Sequence, residues 1–195
     1  MGKLAVAVIV GSNRQDSINR RLAEALVRLG AGRMDARFVR IDDLPLYNQD
    51  LEYARPAAVQ RFTEEVAGAD ALLIVTPEHN RSITAVLKNA IDWGAWSMDD
   101  NVWKGKAAAI TGASPGAMGA SAGQHHLRHI LGALGAVVVG GEAYVSFRPD
   151  LIDDAGEISN ARIRARLAAY VEDFLDLAQR LHPHAERPRR ALTPV

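Results

Sequence analysis

Leu4-Ala-Val-Ala-Val-Ile-Val10 is apolar at every position and rich in β-branched side chains. A strand with one face in water alternates apolar and polar residues; one without a polar face has to be covered on both sides. Further strand-like runs follow at Ala36 to Ile41, Ala69 to Thr76, Ala107 to Thr111 and Ala136 to Val139. Between and after them stand segments with helical spacing. Leu22, Leu26 and Leu29 share one face and end at Gly30-Ala31-Gly32. A second helix is expected from Pro56 to Gly68, because proline is tolerated in a first turn. Ser82 to Trp93 carries Ile83, Val86, Leu87, Ala90 and Ile91 at helical intervals. A fourth helix carries Leu127, Ile130, Leu131 and Leu134, and a fifth is expected over Ser159 to Leu181. Strand and helix alternate five times. That pattern predicts an α/β fold: a three-layer sandwich with a five-stranded parallel sheet and helices on both faces. Residues 1–182 are expected to form this single domain. Residues 183–195, rich in Pro and Arg, are expected to be a flexible tail.

Composition narrows the chemistry. Lys plus Arg and Asp plus Glu each number 23, so no net charge draws in nucleic acid or an anionic membrane. The chain has no Cys, which excludes disulfides, thiolate nucleophiles, iron–sulfur clusters and Cys-based zinc sites. Redox chemistry would have to come from a bound cofactor. The first apolar run stops at Gly11 without a small-residue cleavage site and is too short to span a bilayer, so a cytoplasmic protein is expected.

Ligands of parallel α/β sheets sit beyond the carboxyl ends of the strands. Unusual residues fall there three times: after Val10, after Thr76 and after Thr111. The first loop is Gly11-Ser12-Asn13-Arg14-Gln15-Asp16-Ser17-Ile18-Asn19. It would present backbone N–H groups at the positive end of a helix dipole, with Ser12, Ser17 and Asn19 as neutral donors and Arg14 as a cation. A phosphate monoester suits that set. The loop lacks the lysine spacing of an NTPase and the Gly-x-Gly-x-x-Gly of a pyrophosphate site. The plainer alternative, Ser17 as a helix cap with Arg14 in solvent, stays open.

The second loop, Thr76-Pro77-Glu78-His79-Asn80-Arg81-Ser82, leads into Leu87-Lys88-Asn89-Ala90-Ile91-Asp92-Trp93. Pro77 stiffens the strand exit, and outward amides of a rigid backbone suit the edge of a planar heterocycle. Asn80 and Ser82 are also candidate caps of the next helix. One His and one carboxylate do not make a metal site, so none is expected. Lys88 and Asp92 are spaced as a helix-surface pair.

These loops together carry a resemblance. Gly11-Ser12-x-Arg14-x-x-Ser17-x-Asn19, Thr76-Pro77-Glu78-His79-Asn80-x-Ser82 and Leu87 to Trp93 resemble the NADPH-dependent FMN reductase family. Gly105-Lys106-Ala107 through Ser114-Pro115-Gly116-Ala117-Met118-Gly119 to His126-Leu127-Arg128 is similar to its third block. The resemblance covers roughly residues 4 to 145. It implies a flavodoxin-like fold with strand order 2-1-3-4-5 and FMN as cofactor. It also implies reduction of a small acceptor by NADPH, or NADH, in a ping-pong scheme. The acceptors it suggests are a quinone, an azo compound, a metal oxyanion or free flavin. By similarity Ser12, Arg14, Ser17, Ile18 and Asn19 hold the FMN phosphate. Pro77, Glu78, His79 and Asn80 flank the ring, and Ser114 and Gly116 border its other side. No residue is assigned a catalytic role, since a flavin carries the redox chemistry itself. His79 stands where the family usually has Tyr, and Thr84-Ala85 where it often has Pro-Gly.

The resemblance also implies a homodimer or homotetramer, with Arg128, Glu142 and Tyr144 as boundary candidates. Trp93, Trp96 and Trp103 are expected in the core or an interface, with Trp96 and Asp99-Asp100-Asn101 as a candidate wall of the acceptor pocket. His125, His126 and His129 are expected on a helix surface. Arg81 or Arg148 is the candidate partner for the 2′-phosphate of NADPH. Two other readings are a flavodoxin-type electron carrier, which zero net charge disfavours, and a redox-responsive FMN-binding interaction module.

Overall fold

A computed structural model describes residues 2–95 and 100–185. Strands β1 (Leu4–Val10), β2 (Met34–Val39), β3 (Ala71–Val75) and β4 (Ala107–Ser114) run parallel in the order β2-β1-β3-β4. Two short strands share the next position. β5 (Val137–Val138) pairs with Ala107 and Ala108, and β6 (Ala143–Ser146) pairs with Thr111 to Ser114. The order 2-1-3-4-5 therefore holds, with the fifth place split. Partnership with β6 also carries β4 on to Ser114, beyond the expected end at Thr111.

The helices are α1 (Ile18–Gly30), α2 (Ala57–Ala67), α3 (Ala85–Gly94), α4 (Ser121–Ala133) and α5 (Ala161–Ala185). Helices α1 and α5 cover one sheet face, packing on Val6, Val8 and Val10. Helices α2, α3 and α4 cover the other, packing on Ala7 and Ile9. Val8 and Ile9 are both fully buried, which is why β1 has no polar face. Each such side chain contributes about 1.5–3 kcal/mol by leaving water.

The break between β5 and β6 leaves Ile110 of β4, paired with Ile74 of β3 on one side, without a strand on the other. The buried Tyr170 hydroxyl fills that place: it donates to the Ile110 carbonyl at 2.7 Å and accepts from the Ile110 N–H at 3.0 Å. Burial pushes the Tyr170 phenol up from its ordinary value. Trp93 and Trp103 lie in the core, their indole N–H groups bonded to the carbonyls of Pro45 and Ile91. Trp96 and Asp99 lie outside the described residues, as does the expected tail from residue 186 on. Helix α5 itself passes the expected end at Leu181 and reaches Ala185. Among the described residues no helix is long and apolar enough to cross a membrane.

Candidate flavin site

Three loops meet at the carboxyl ends of β1, β3 and β4, and their contact depends on two glycines. A Cβ at Gly11 would fall on the Thr76 side chain, and one at Gly112 on the Thr76 carbonyl. The buried Thr76 N–H bonds to Thr111 O at 3.0 Å and the Gly11 N–H to Val75 O at 2.9 Å, so the strand exits are locked together. The Thr84 hydroxyl adds a tie from the start of α3 to Gly11 O at 2.7 Å.

In the first loop Ser17 caps α1, its hydroxyl oxygen accepting from Arg20 N–H at 3.3 Å. Capping and ligand binding do not compete here, since the hydroxyl proton stays free to donate. Asn19 is buried, and its side chain is spent on β4: it accepts from Ala113 N–H at 2.8 Å and donates to Ala113 O at 3.1 Å. What Asn19 keeps for a ligand is its main-chain N–H. Among the described residues the N–H groups of Asn13, Gln15, Asp16, Ser17, Ile18 and Asn19 meet no acceptor. Backbone donors without a protein partner go to water or to a ligand. The first turn of α1 carries no acidic residue, and Ser12 and Arg14 stand beside it. Open amides at a positive helix end, hydroxyls and one guanidinium fit a phosphate.

The second loop is a tight hairpin. His79 and Ser82 exchange backbone hydrogen bonds at 2.9 and 3.0 Å, and Asn80 and Arg81 between them have φ of 50° and 65°. Two positive φ values in succession mark a type I′ turn, which Asn accepts readily and Arg does not. The hairpin delays α3, so neither Asn80 nor Ser82 caps it; Thr84 does, accepting from Leu87 N–H at 3.3 Å. His79 and Asn80 are exposed at the tip and Pro77 is half-buried at its base.

Glu78 turns away from solvent. Its Oε2 accepts from the N–H groups of Ala122 at 2.9 Å and Gly123 at 3.3 Å, capping α4. Helix α4 has no side-chain cap of its own, because Ala120 occupies the cap position in the left-handed conformation. Ser82 Oγ and His126 Nδ1, 2.7 Å apart, join the same two elements. The third loop is thereby held against the second. Its Ser114 hydroxyl donates to Gly116 O at 3.3 Å, and Gly116 is exposed. Arg148 donates to Pro115 O at 3.3 Å, and Arg81 stands 3.8 Å from Glu78.

The sequence offered no reason to single out Asn89. Its side chain accepts from Tyr47 N–H at 2.7 Å and donates to Pro45 O at 2.9 Å, holding the 44–47 loop with Trp93. Lys88 and Asp92 form the expected surface pair at 2.7 Å. His125, His126 and His129 are exposed on α4. His125 Nε2 lies 2.7 Å from the Tyr144 hydroxyl and 3.0 Å from Glu142. Burial and the Glu142 hydrogen bond push the Tyr144 phenol up to about 12. Hydrogen bonds from Tyr144 and His125 hold the Glu142 carboxyl below its usual range. Arg128 donates to the carbonyls of Val139 and Gly141. Among the described residues no three His, Asp or Glu side chains are grouped to hold a metal.

Residues 4–150 match the sequence profile of the family described as NADPH-dependent FMN reductase. A quinone reductase of Pseudomonas putida is 44% identical over 172 residues, 87% of this chain and 92% of that protein. A 2-hydroxy-1,4-benzoquinone reductase of Burkholderia sp is 41% identical over 172 residues, covering 88% and 94%. Among solved structures, FerB of Paracoccus denitrificans, a flavoenzyme NAD(P)H:(acceptor) oxidoreductase, superposes with a TM-score of 0.87 at 38% identity. That match covers 91% of this chain and 98% of that one. On these matches the chain belongs to the NADPH-dependent FMN reductase family, oxidoreductases that work with FMN and NAD(P)H.

Proposed function

We propose that this protein passes electrons from NADPH, through FMN held at the three strand-end loops, to a small quinone, in a ping-pong cycle. The observation that carries this is the row of unpartnered amides opening α1, placed beside two loops that are locked to each other. The phosphate is assigned to the N–H groups of Ser17, Ile18 and Asn19, the Ser12 and Ser17 hydroxyls and the Arg14 guanidinium. The ring is assigned to the space between Pro77-Glu78-His79-Asn80 and Ser114 to Gly116. In that assignment Glu78 acts as a positioning residue, holding the two walls at a fixed separation while main-chain amides face the ring edge. When bound, FMN supplies the two-electron chemistry, and the protein needs no general acid or base of its own.

The quinone assignment follows the names of the relatives; azo compounds, metal oxyanions and free flavin are further acceptors of the same redox class. We place the protein in the cytoplasm as a homodimer or homotetramer, with residues 1–182 as its working domain. The test is direct. Purified protein is mixed with FMN and its visible spectrum recorded, then NADPH and a benzoquinone are added. Bound flavin with rapid NADPH oxidation is the expected result. Bound but inert flavin would favour an electron carrier or a redox-responsive module.

A further inference from the structure

A cavity of about 490 Å³ lies on the β2 side of the first loop, adjoining the proposed phosphate site and sharing Ser12 and Arg14 with it. That volume is in the range of small-molecule pockets. One wall is Ser12 to Gln15, and the other is the end of β2 with Phe38, Arg40 and Asp42. Phe38 is in register with Val8, so its ring lies on the sheet face that α1 covers. The Arg20 guanidinium of α1 lies over that ring at 3.7 Å. A guanidinium backed by a phenyl ring is a flat cationic platform on which a heteroaromatic base can stack.

Three arginines line this cavity: Arg14, Arg20 and Arg40. Arg14 has no ion-pair partner among the described residues. Arg20 pairs with Glu24 at 2.7 Å, and Arg40 with Asp42 at 2.8 Å, with Asp43 at 3.8 Å. Both pairs are largely in water, where such pairs contribute little, so an incoming dianion can displace or share them. Until then they hold two guanidinium groups in place, which lowers the ordering cost of binding. A planar platform beside two further arginines suits a nucleoside that carries a phosphate monoester.

We infer that this cleft receives the adenosine 2′-phosphate of NADPH, so that Arg20 and Arg40 decide the choice between NADPH and NADH. The inference rests on the proposed reductase activity and gives the donor a second contact region. Its nicotinamide has to reach the flavin ring, and its adenosine has to lie elsewhere. Arg81 and Arg148, the candidates from sequence, stand on the second loop and beside the third, 3.8 Å from Glu78 and 3.3 Å from Pro115 O, and neither lines this cleft.

The test uses the FMN-loaded protein and the double variant Arg20→Ala/Arg40→Ala. By calorimetry the parent protein should bind 2′,5′-ADP roughly ten-fold more tightly than 5′-ADP, and the variant should bind them alike. In turnover, the ratio of kcat/KM for NADPH to that for NADH should fall roughly ten-fold, with both donors weakened by the lost stacking platform, while quinone KM and FMN content stay unchanged. An unaltered NADPH-to-NADH ratio in the variant overturns the inference, as does a parent protein that binds both diphosphates equally. Should the flavoprotein oxidise neither nucleotide, the reductase reading fails separately, and the calorimetry alone decides the cleft.

Discussion

Glu78, in the loop after β3, caps a helix whose first residue lies 43 positions away in sequence: its carboxylate accepts from the N–H groups of Ala122 and Gly123. Local sequence offers α4 no cap, since Ala120 has no side-chain oxygen. Glu78→Ala should therefore cost about 1–2 kcal/mol in urea unfolding. It should also weaken FMN binding, because the two ring walls are no longer tied. Glu78→Gln, which retains an acceptor oxygen, should recover most of both.

Arg14 is exposed and forms no ion pair among the described residues, so removing it should leave folding almost untouched, within about 0.5 kcal/mol. FMN affinity is where the change belongs. Arg14→Ala should raise the Kd for FMN roughly ten-fold or more in a fluorescence-quenching titration. Full retention of FMN would remove Arg14 from the phosphate site.

Tyr170→Phe keeps the ring in the core and removes only the hydroxyl. It strands the buried N–H and C=O of Ile110 opposite the gap in the fifth strand. Leaving such groups unpaired should cost about 1–3 kcal/mol, read as a lower urea midpoint with an unchanged slope. Hydrogen exchange at Ile110 should rise with it.

The Tyr144 phenol ionises at about 12 in the folded protein, against an ordinary value of 10.0. A raised folded pKa means the protonated form is favoured by folding. The stability this adds is complete below pH 10 and is lost as pH climbs from about 10 through about 12. Ultraviolet titration of the native protein should show late phenolate components from Tyr47, Tyr144 and Tyr170, all raised, and Tyr144→Phe should lose the one near pH 12. The variant should lose stability less steeply over that alkaline window.

The layered fold was legible because β1 and β3 are apolar on both faces, a property only a sheet covered on both sides rewards. The split edge strand was not. Ala136 to Val139 reads as a whole fifth strand and Ala143 to Ser146 is not singled out; only the shared partner β4 makes Val137-Val138 and Ala143 to Ser146 one position. The first loop was legible as a row of open amides, yet the Asn19 side chain reads as a ligand donor while the fold spends it on Ala113. Asn80 and Ser82 read as helix caps for a similar reason. Their residue type suits a cap, but the His79–Ser82 pairing makes a turn first and leaves the cap to Thr84. Asn89 escaped notice because its partners lie on a loop more than forty residues earlier.

Thr76 and Gly112 press so closely that even a methyl group cannot be inserted between them. An engineer who wishes to change what this protein accepts has nothing to alter at that depth. Diversity introduced in a library belongs at the rim, at His79 and Gly116, positions that face water, rather than at Asn80, whose positive φ disfavours most side chains.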